Sequence, residues 1–164
     1  MPCWHKVQLA IRRFCRQISF WNDNPTTGKS LAPINSGTEI LRATPSPVVH
    51  IIDDDVSTRR ALTRLMRSAG FGTLAFASVE EFLASDFQRH HACIVADVHM
   101  PGISALELPA RLKGLGVDIP VIFVTADYSP DTRERVRDCG GVGYFNKPVD
   151  DQALIDTIQW AVTD

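Results

Sequence analysis

Apolar runs in this chain stop abruptly on polar residues. Residues 48–52 (Val-Val-His-Ile-Ile) run into Asp53, Asp54 and Asp55. Residues 92–96 run into Asp97, residues 120–124 into Thr125, and residues 142–145 into Asn146 and Lys147. Apolar runs of this length, bounded by turn signals, predict strands buried on both faces of a parallel sheet. Residues 72–76 supply a fifth strand. Between the strands the apolar positions switch to helical spacing, over 57–69, from Ser78 onward, 104–113, 130–139 and 151–162. In the first helix Leu62, Leu65, Met66 and Ala69 share the inner face, and Gly70 stops it. Ser78 followed by Glu81 is a capping box. Gly114 is expected to stop the third helix, and Gly140 with Gly141 the fourth. Pro109 falls inside the third, where it removes a hydrogen bond at a cost of ~3 kcal/mol. A kink or a shorter helix is expected there.

Five βα units in the last two-thirds of the chain predict an α/β domain with a doubly wound parallel sheet. Open parallel sheets carry their chemistry at the carboxyl ends of the strands. Asp53, Asp54, Asp97, Thr125 and Lys147 all fall at such ends. Carboxylates, a hydroxyl and an ammonium gathered together suit a divalent cation and a phosphoryl group.

Charge divides the chain. Residues 1–46 hold six basic and two acidic side chains, whereas residues 47–164 hold the other eleven basic against seventeen acidic. An acidic globular part argues against nucleic acid as its direct partner. At 45% hydrophobic and 22% charged, the 164-residue chain is ordinary for a globular protein with one core. No apolar run approaches the ~18 residues of a membrane span. Cysteines at 3, 15, 93 and 139 show no metal-ligand spacing, and a reducing cytoplasm fits them. Residues 22–47, rich in Asn, Pro, Gly, Ser and Thr, read as a linker. The expected division is therefore a basic N-terminal extension with flexible linker over 1–47 and a folded domain over 48–164.

From about Val48 to Val162 the chain resembles a response-regulator receiver domain of two-component signalling, with the FixJ type as the nearest subgroup. The carrying residues are the acidic pair Asp53-Asp54, the segment Asp97-Val98-His99-Met100-Pro101-Gly102, Thr125-Ala126 and Lys147-Pro148. The resemblance implies a flavodoxin-like (βα)5 fold with strand order 2-1-3-4-5. It implies that Asp97 is the phosphoacceptor. It also implies Mg²⁺ held by Asp53 (largely through water), Asp54, Asp97 and the backbone carbonyl of His99. Lys147 matches the lysine that binds phosphoryl oxygens, followed by a proline after a cis peptide. Thr125 matches the hydroxyl that moves to the phosphoryl group, and Tyr144 the aromatic ring that turns inward with it. Alone, each motif has a bland reading: a solvated aspartate turn, a loop Lys-Pro, a strand-end threonine, a half-buried tyrosine. Those readings fail jointly, because four strand ends carry the required residue in the required order. Asp55 keeps its bland reading, as a turn residue or a charge at a helix N-terminus.

The implied partners are a sensor histidine kinase or phosphotransfer protein and an output protein of unknown identity. The implied switch face is helix four, strand five and helix five, with Arg133, Glu134, Arg137 and Asp138 on helix four; homodimerisation through it is one option. The domain would catalyse only its own phosphorylation and dephosphorylation. His99 and Asp127 occupy positions that influence dephosphorylation in the family, and Asp127 is expected to add negative charge near the attacking water's path. No helix-turn-helix follows residue 164, so the expectation is a stand-alone receiver acting through protein partners without direct DNA binding, or a receiver fragment of something longer. The alternative is a receiver-fold interaction module that works without phosphorylation. A hydrolase of external phosphoesters is disfavoured, since every loop is short.

Two features lie outside this pattern. Residues 25–30 (Pro-Thr-Thr-Gly-Lys-Ser) mimic the end of a phosphate-binding loop, but the required earlier glycine is Asp23 and no strand precedes it. Trp4, Val7, Ile11, Phe14, Ile18 and Trp21 form an apolar helical seam flanked by Lys6, Arg12, Arg13 and Arg16. Residues 4–21 are either a basic amphipathic helix for an anionic membrane or a partner, or an untethered tail.

Overall fold

The computed structural model describes residues 46–163. The seam at 4–21, the mimic at 25–30 and most of the linker fall outside the described residues. Strands β1 (Val48–Ile52), β2 (Gly72–Phe76), β3 (Ala92–Asp97), β4 (Val121–Thr125) and β5 (Gly143–Asn146) form one parallel sheet in the order β2-β1-β3-β4-β5. Helices α1 (Val56–Ser68), α2 (Val79–Ala84), α3 (Leu108–Gly114), α4 (Pro130–Asp138) and α5 (Asp151–Thr163) alternate with them. This is the doubly wound fold and strand order that the sequence implied. Among the described residues no helix is long and apolar enough to cross a membrane.

The three central strands are apolar at nearly every position, yet alternate side chains feed two separate cores. Val49, Ile51, Cys93, Val95, Ile122 and Val124 pack with Met66 of α1 and Leu154 and Ile158 of α5. Ile52, Ile94, Ala96, Val121 and Phe123 pack on the other face with Phe82 of α2, Leu108 and Leu112 of α3 and Val136 of α4. Burying one large aliphatic or aromatic side chain stabilises by ~1.5–3 kcal/mol, so these two layers dominate the fold. The predicted inner face of α1 holds: Met66 is buried, with Leu62, Leu65 and Ala69 packed beside it.

Local differences have physical causes. Helix α1 starts at Val56 because the Asp55 carboxylate caps it, accepting from Thr58 N at 2.6 Å. Around Pro109 the expected disruption takes a definite form. Ala105–Glu107 make a 3-10 turn, and α3 restarts at Leu108 with Pro109 in its first turn. There the missing N–H has no intrahelical partner to lose. Gly114 is the last residue of α3 rather than its stop, and the left-handed residue is Gly116 (φ 69°). In the capping box, Ser78 accepts from Glu81 N at 3.2 Å, but the Glu81 carboxylate reaches Ala77 N at 2.6 Å instead of the cap residue's own amide.

Candidate functional site

Register brings the polar strand ends to one edge. Asp97 pairs with Val124, and Thr125 with Asn146, so β3, β4 and β5 end at the same edge of the sheet. Asp53 immediately follows β1, which pairs with β3 through Ile52 and Ala96. Asp53 and Asp97 are buried, and Thr125 is fully so; Asp54 is exposed.

Lys147, just after β5, organises this edge. Its Nζ donates to Asp53 Oδ2 at 2.8 Å and to Asp97 Oδ2 at 2.5 Å. The peptide bond between Lys147 and Pro148 is cis. Burial alone would lower the Lys147 pKa, but its hydrogen bonds to Asp53 and Asp97 outweigh that and raise it above the ordinary value. Burial pushes the Asp53 carboxyl up, opposed by the hydrogen bonds from Lys147 and from the Asp55 amide. The remaining oxygens face backbone donors: Asp53 Oδ1 accepts from Asp55 N at 2.8 Å, and Asp97 Oδ1 from His99 N at 2.9 Å. Arg59 of α1 donates to the Asp53 carbonyl at 2.6 Å, a contact that no local sequence signal announces.

Asp53, Asp54 and Asp97 each offer a carboxylate oxygen, and these oxygens lie within 4.8 Å of one another. Hard oxygen donors at that spacing, open to water on the Asp54 side, fit a small divalent cation that keeps part of its hydration shell. Lys147 supplies the positive charge between Asp53 and Asp97 here.

Thr125 Oγ1 accepts from Asp127 N at 3.0 Å. Tyr144 is half-buried against the α2/α3/α4 core, and its phenol donates to the Asp127 carbonyl at 2.8 Å. Tyr128, an exposed residue on the same loop, donates to the Lys147 carbonyl at 2.5 Å. The Asp127 carboxylate is engaged at the start of α4, accepting from Thr132 Oγ1 at 2.6 Å and from Ser129 N and Oγ at 2.8 Å each. Those bonds, with Thr132 first, lower its pKa to about 2. The His99 ring is exposed, with Nε2 3.5 Å from Asp127 Oδ2.

Thus Asp53, Asp54, Asp97 and Lys147 meet in one cluster, with Thr125 on the neighbouring strand end. Tyr144 stands off, joined through the β4–α4 loop. Sequence reasoning missed the loop's own fastening by Tyr128 and by the Asp127 carboxylate.

A family profile described as the response regulator receiver domain matches residues 49–159. Nodulation protein W of Bradyrhizobium diazoefficiens is 37% identical over 116 residues, covering 71% of this chain and 51% of that protein. Transcriptional regulatory protein FixJ of Azorhizobium caulinodans is 35% identical over 111 residues, covering 68% of this chain and 53% of that protein. The crystal structure of FixJ-N superposes with TM-score 0.66 at 30% identity, covering 73% of this chain and 96% of that one. The chain spans about half the length of the curated relatives it matches.

Proposed function

This chain belongs to the response regulator receiver domain family, and we propose that it accepts a phosphoryl group onto Asp97 from the phosphohistidine of a sensor histidine kinase or phosphotransfer protein. The observation that carries this reading is the double ion pair of Lys147 with Asp53 and Asp97, formed by residues 94 and 50 positions apart. A buried acceptor carboxylate needs a cation that can follow negative charge onto an incoming phosphoryl group.

In this reading an Asp97 Oδ attacks phosphorus in line. The Oδ–P bond forms as the P–N bond breaks, and the electron pair leaves with the donor's imidazole nitrogen. Lys147 shifts from the carboxylates to a phosphoryl oxygen. Among the described residues the Thr125 hydroxyl serves only as an acceptor, from Asp127 N, so its proton is free to donate to a second phosphoryl oxygen. Asp53, Asp54, Asp97 and the His99 backbone carbonyl would hold Mg²⁺, which when bound neutralises charge on the carboxylate and the phosphoryl oxygens. Water attacking phosphorus later releases phosphate and restores Asp97. The domain acts on no external substrate and catalyses only these two steps on itself.

The added charge draws Thr125 away from Asp127, and the change reaches the face made by α4, β5 and α5. That face, with Tyr144, is the proposed contact for the output protein or a second copy; residues 48–164 are proposed to make no direct DNA contact. A cytoplasmic setting and the division into an extension over 1–47 and a receiver over 48–164 belong to the same reading, as does a membrane or partner contact by residues 4–21. Incubation with acetyl phosphate and Mg²⁺, followed by intact mass, tests it. A gain of one phosphoryl mass supports a phosphorylated switch. No gain in folded protein favours the interaction module that works without phosphate.

A further inference from the structure

The loop from Val98 to Ser104 follows Asp97 and carries His99. Its near end is tied to the sheet, with Val98 N donating to the Val124 carbonyl at 3.0 Å. Its far end is tied by a side chain from another element. Glu80 Oε1 accepts from Ile103 N at 2.7 Å, across 23 residues. That bond is the first cause of the lowered Glu80 pKa.

Glu80 stands on a turn that is anchored in the core. It lies in the first turn of α2, between Val79 and Phe82, both buried in the core. Ser78 and Glu81 fasten the same turn. The loop fits closely against the carboxylate. Gly102 has φ 88°, and a Cβ there would run into Glu80 Oε1. A helix N-terminus favours an acid by its dipole alone, but the dipole does not require the carboxylate to reach across to another segment. Between the two ties lie only His99, Met100, Pro101 and Gly102.

We propose that Glu80 is a positioning residue for the cation site: by clamping Ile103 it holds the 98–104 loop, and with it the His99 backbone carbonyl proposed above as a metal ligand. This rests on the metal-holding role given to His99 above. Charge-assisted bonds to backbone N–H groups are the stronger kind. Removing a group that orients a ligand typically weakens a metal site ~10–100-fold.

The test compares wild type, Glu80→Gln and Glu80→Ala by chemical-shift titration of backbone amides with MgCl2, with hydrogen exchange of the Ile103 amide and thermal melts as controls. Glu80→Ala is expected to free the Ile103 amide and to raise the Mg²⁺ concentration for half-saturation about tenfold. Glu80→Gln keeps an oxygen for that amide and is expected to stay within about twofold of wild type. A freed Ile103 amide with unchanged Mg²⁺ half-saturation would overturn the positioning role and leave Glu80 a purely structural tie. If wild type itself shows no Mg²⁺-dependent shifts at residues 53, 54, 97 and 99, the metal-site reading fails, and this role with it.

Discussion

Tyr144 donates its phenol to the backbone carbonyl of Asp127, 17 residues earlier, at 2.8 Å. The amide of the same Asp127 donates to Thr125 Oγ1 at 3.0 Å. One residue therefore joins the hydroxyl at the acidic edge to the half-buried Tyr144 ring. A displacement of Thr125 toward a phosphoryl group removes the acceptor of the Asp127 amide and loosens the segment that holds Tyr144. Thr125→Ala is expected to accept phosphate from acetyl phosphate yet to leave the Tyr144 ring signals unchanged on phosphorylation. Aromatic NMR of both proteins checks this. Equal Tyr144 shifts in the variant would show that the coupling runs by another route.

Lys147 answers two buried carboxylates at once. Removing one partner of such a pair leaves uncompensated charge, at a cost of ~3–5 kcal/mol for fully buried cases; Lys147 is partly exposed, so the lower end applies. Lys147→Met should unfold at lower urea without divalent ions. It should also gain more stability from Mg²⁺ than wild type does, because a more negative site binds the cation more tightly. Urea melts with and without MgCl2 measure both effects. An equal Mg²⁺ gain in the two proteins would count against cation binding at this cluster.

His50 sits fully buried in β1, ringed by Phe76, Phe82 and Phe87, with centroids 5.4–6.2 Å away. Its Nε2 bonds the Gln88 carbonyl at 3.0 Å, and its Nδ1 has no partner among the described residues. Burial lowers its pKa below 6.5, so the folded protein binds a proton there less readily than the unfolded chain. The unfolded chain binds the extra proton first, and stability therefore falls as pH drops from 6.5 toward the lowered value. The slope contributed by this one group is at most about 1.4 kcal/mol per pH unit. Urea midpoints between pH 7.5 and 5.5 should fall for wild type and much less for His50→Leu. Parallel slopes would assign the effect to other groups.

Asp127 fastens the β4–α4 loop through its carboxylate as well as its backbone. The carboxyl pKa is depressed from 3.8 to about 2, so its contribution to stability is present above 3.8 and lost as pH falls through about 2. The sequence suggested a charge near the attacking water; in the structure the carboxylate bonds Ser129 and Thr132 and lies 3.5 Å from His99 Nε2. Asp127→Asn is still expected to change the half-life of phosphorylated Asp97, because the loop beside Thr125 hangs on this residue. An unchanged half-life would remove Asp127 from the reset step.

Legibility of the fold followed the range of each interaction. Strands β1, β3 and β4 were readable because a fully buried strand is apolar along its whole length, and its end is marked by one abrupt polar residue. Pro109 was readable as trouble, since its missing N–H is a local fact; that the chain would answer with a 3-10 turn and a restart at Leu108 was not. Asp53, Asp97 and Lys147 could be placed at strand ends, because parallel topology makes those ends converge. Contacts between distant segments stayed hidden. Glu80 reaching Ile103, Arg59 reaching the Asp53 carbonyl and Tyr128 reaching the Lys147 carbonyl depend on how segments meet in space, which no periodicity encodes. His50 was masked by the apolar run around it, since its lowered pKa follows from Phe76, Phe82 and Phe87 brought together by the fold.

Asp97 is the proposed phosphoacceptor of the cluster. The most direct measurement is intact mass after acetyl phosphate and Mg²⁺, run side by side on wild type and Asp97→Asn, with both confirmed folded by circular dichroism. One phosphoryl mass is expected on wild type, none on the variant, and none on wild type when EDTA removes the metal. Equal labelling of Asp97→Asn would place the acceptor elsewhere.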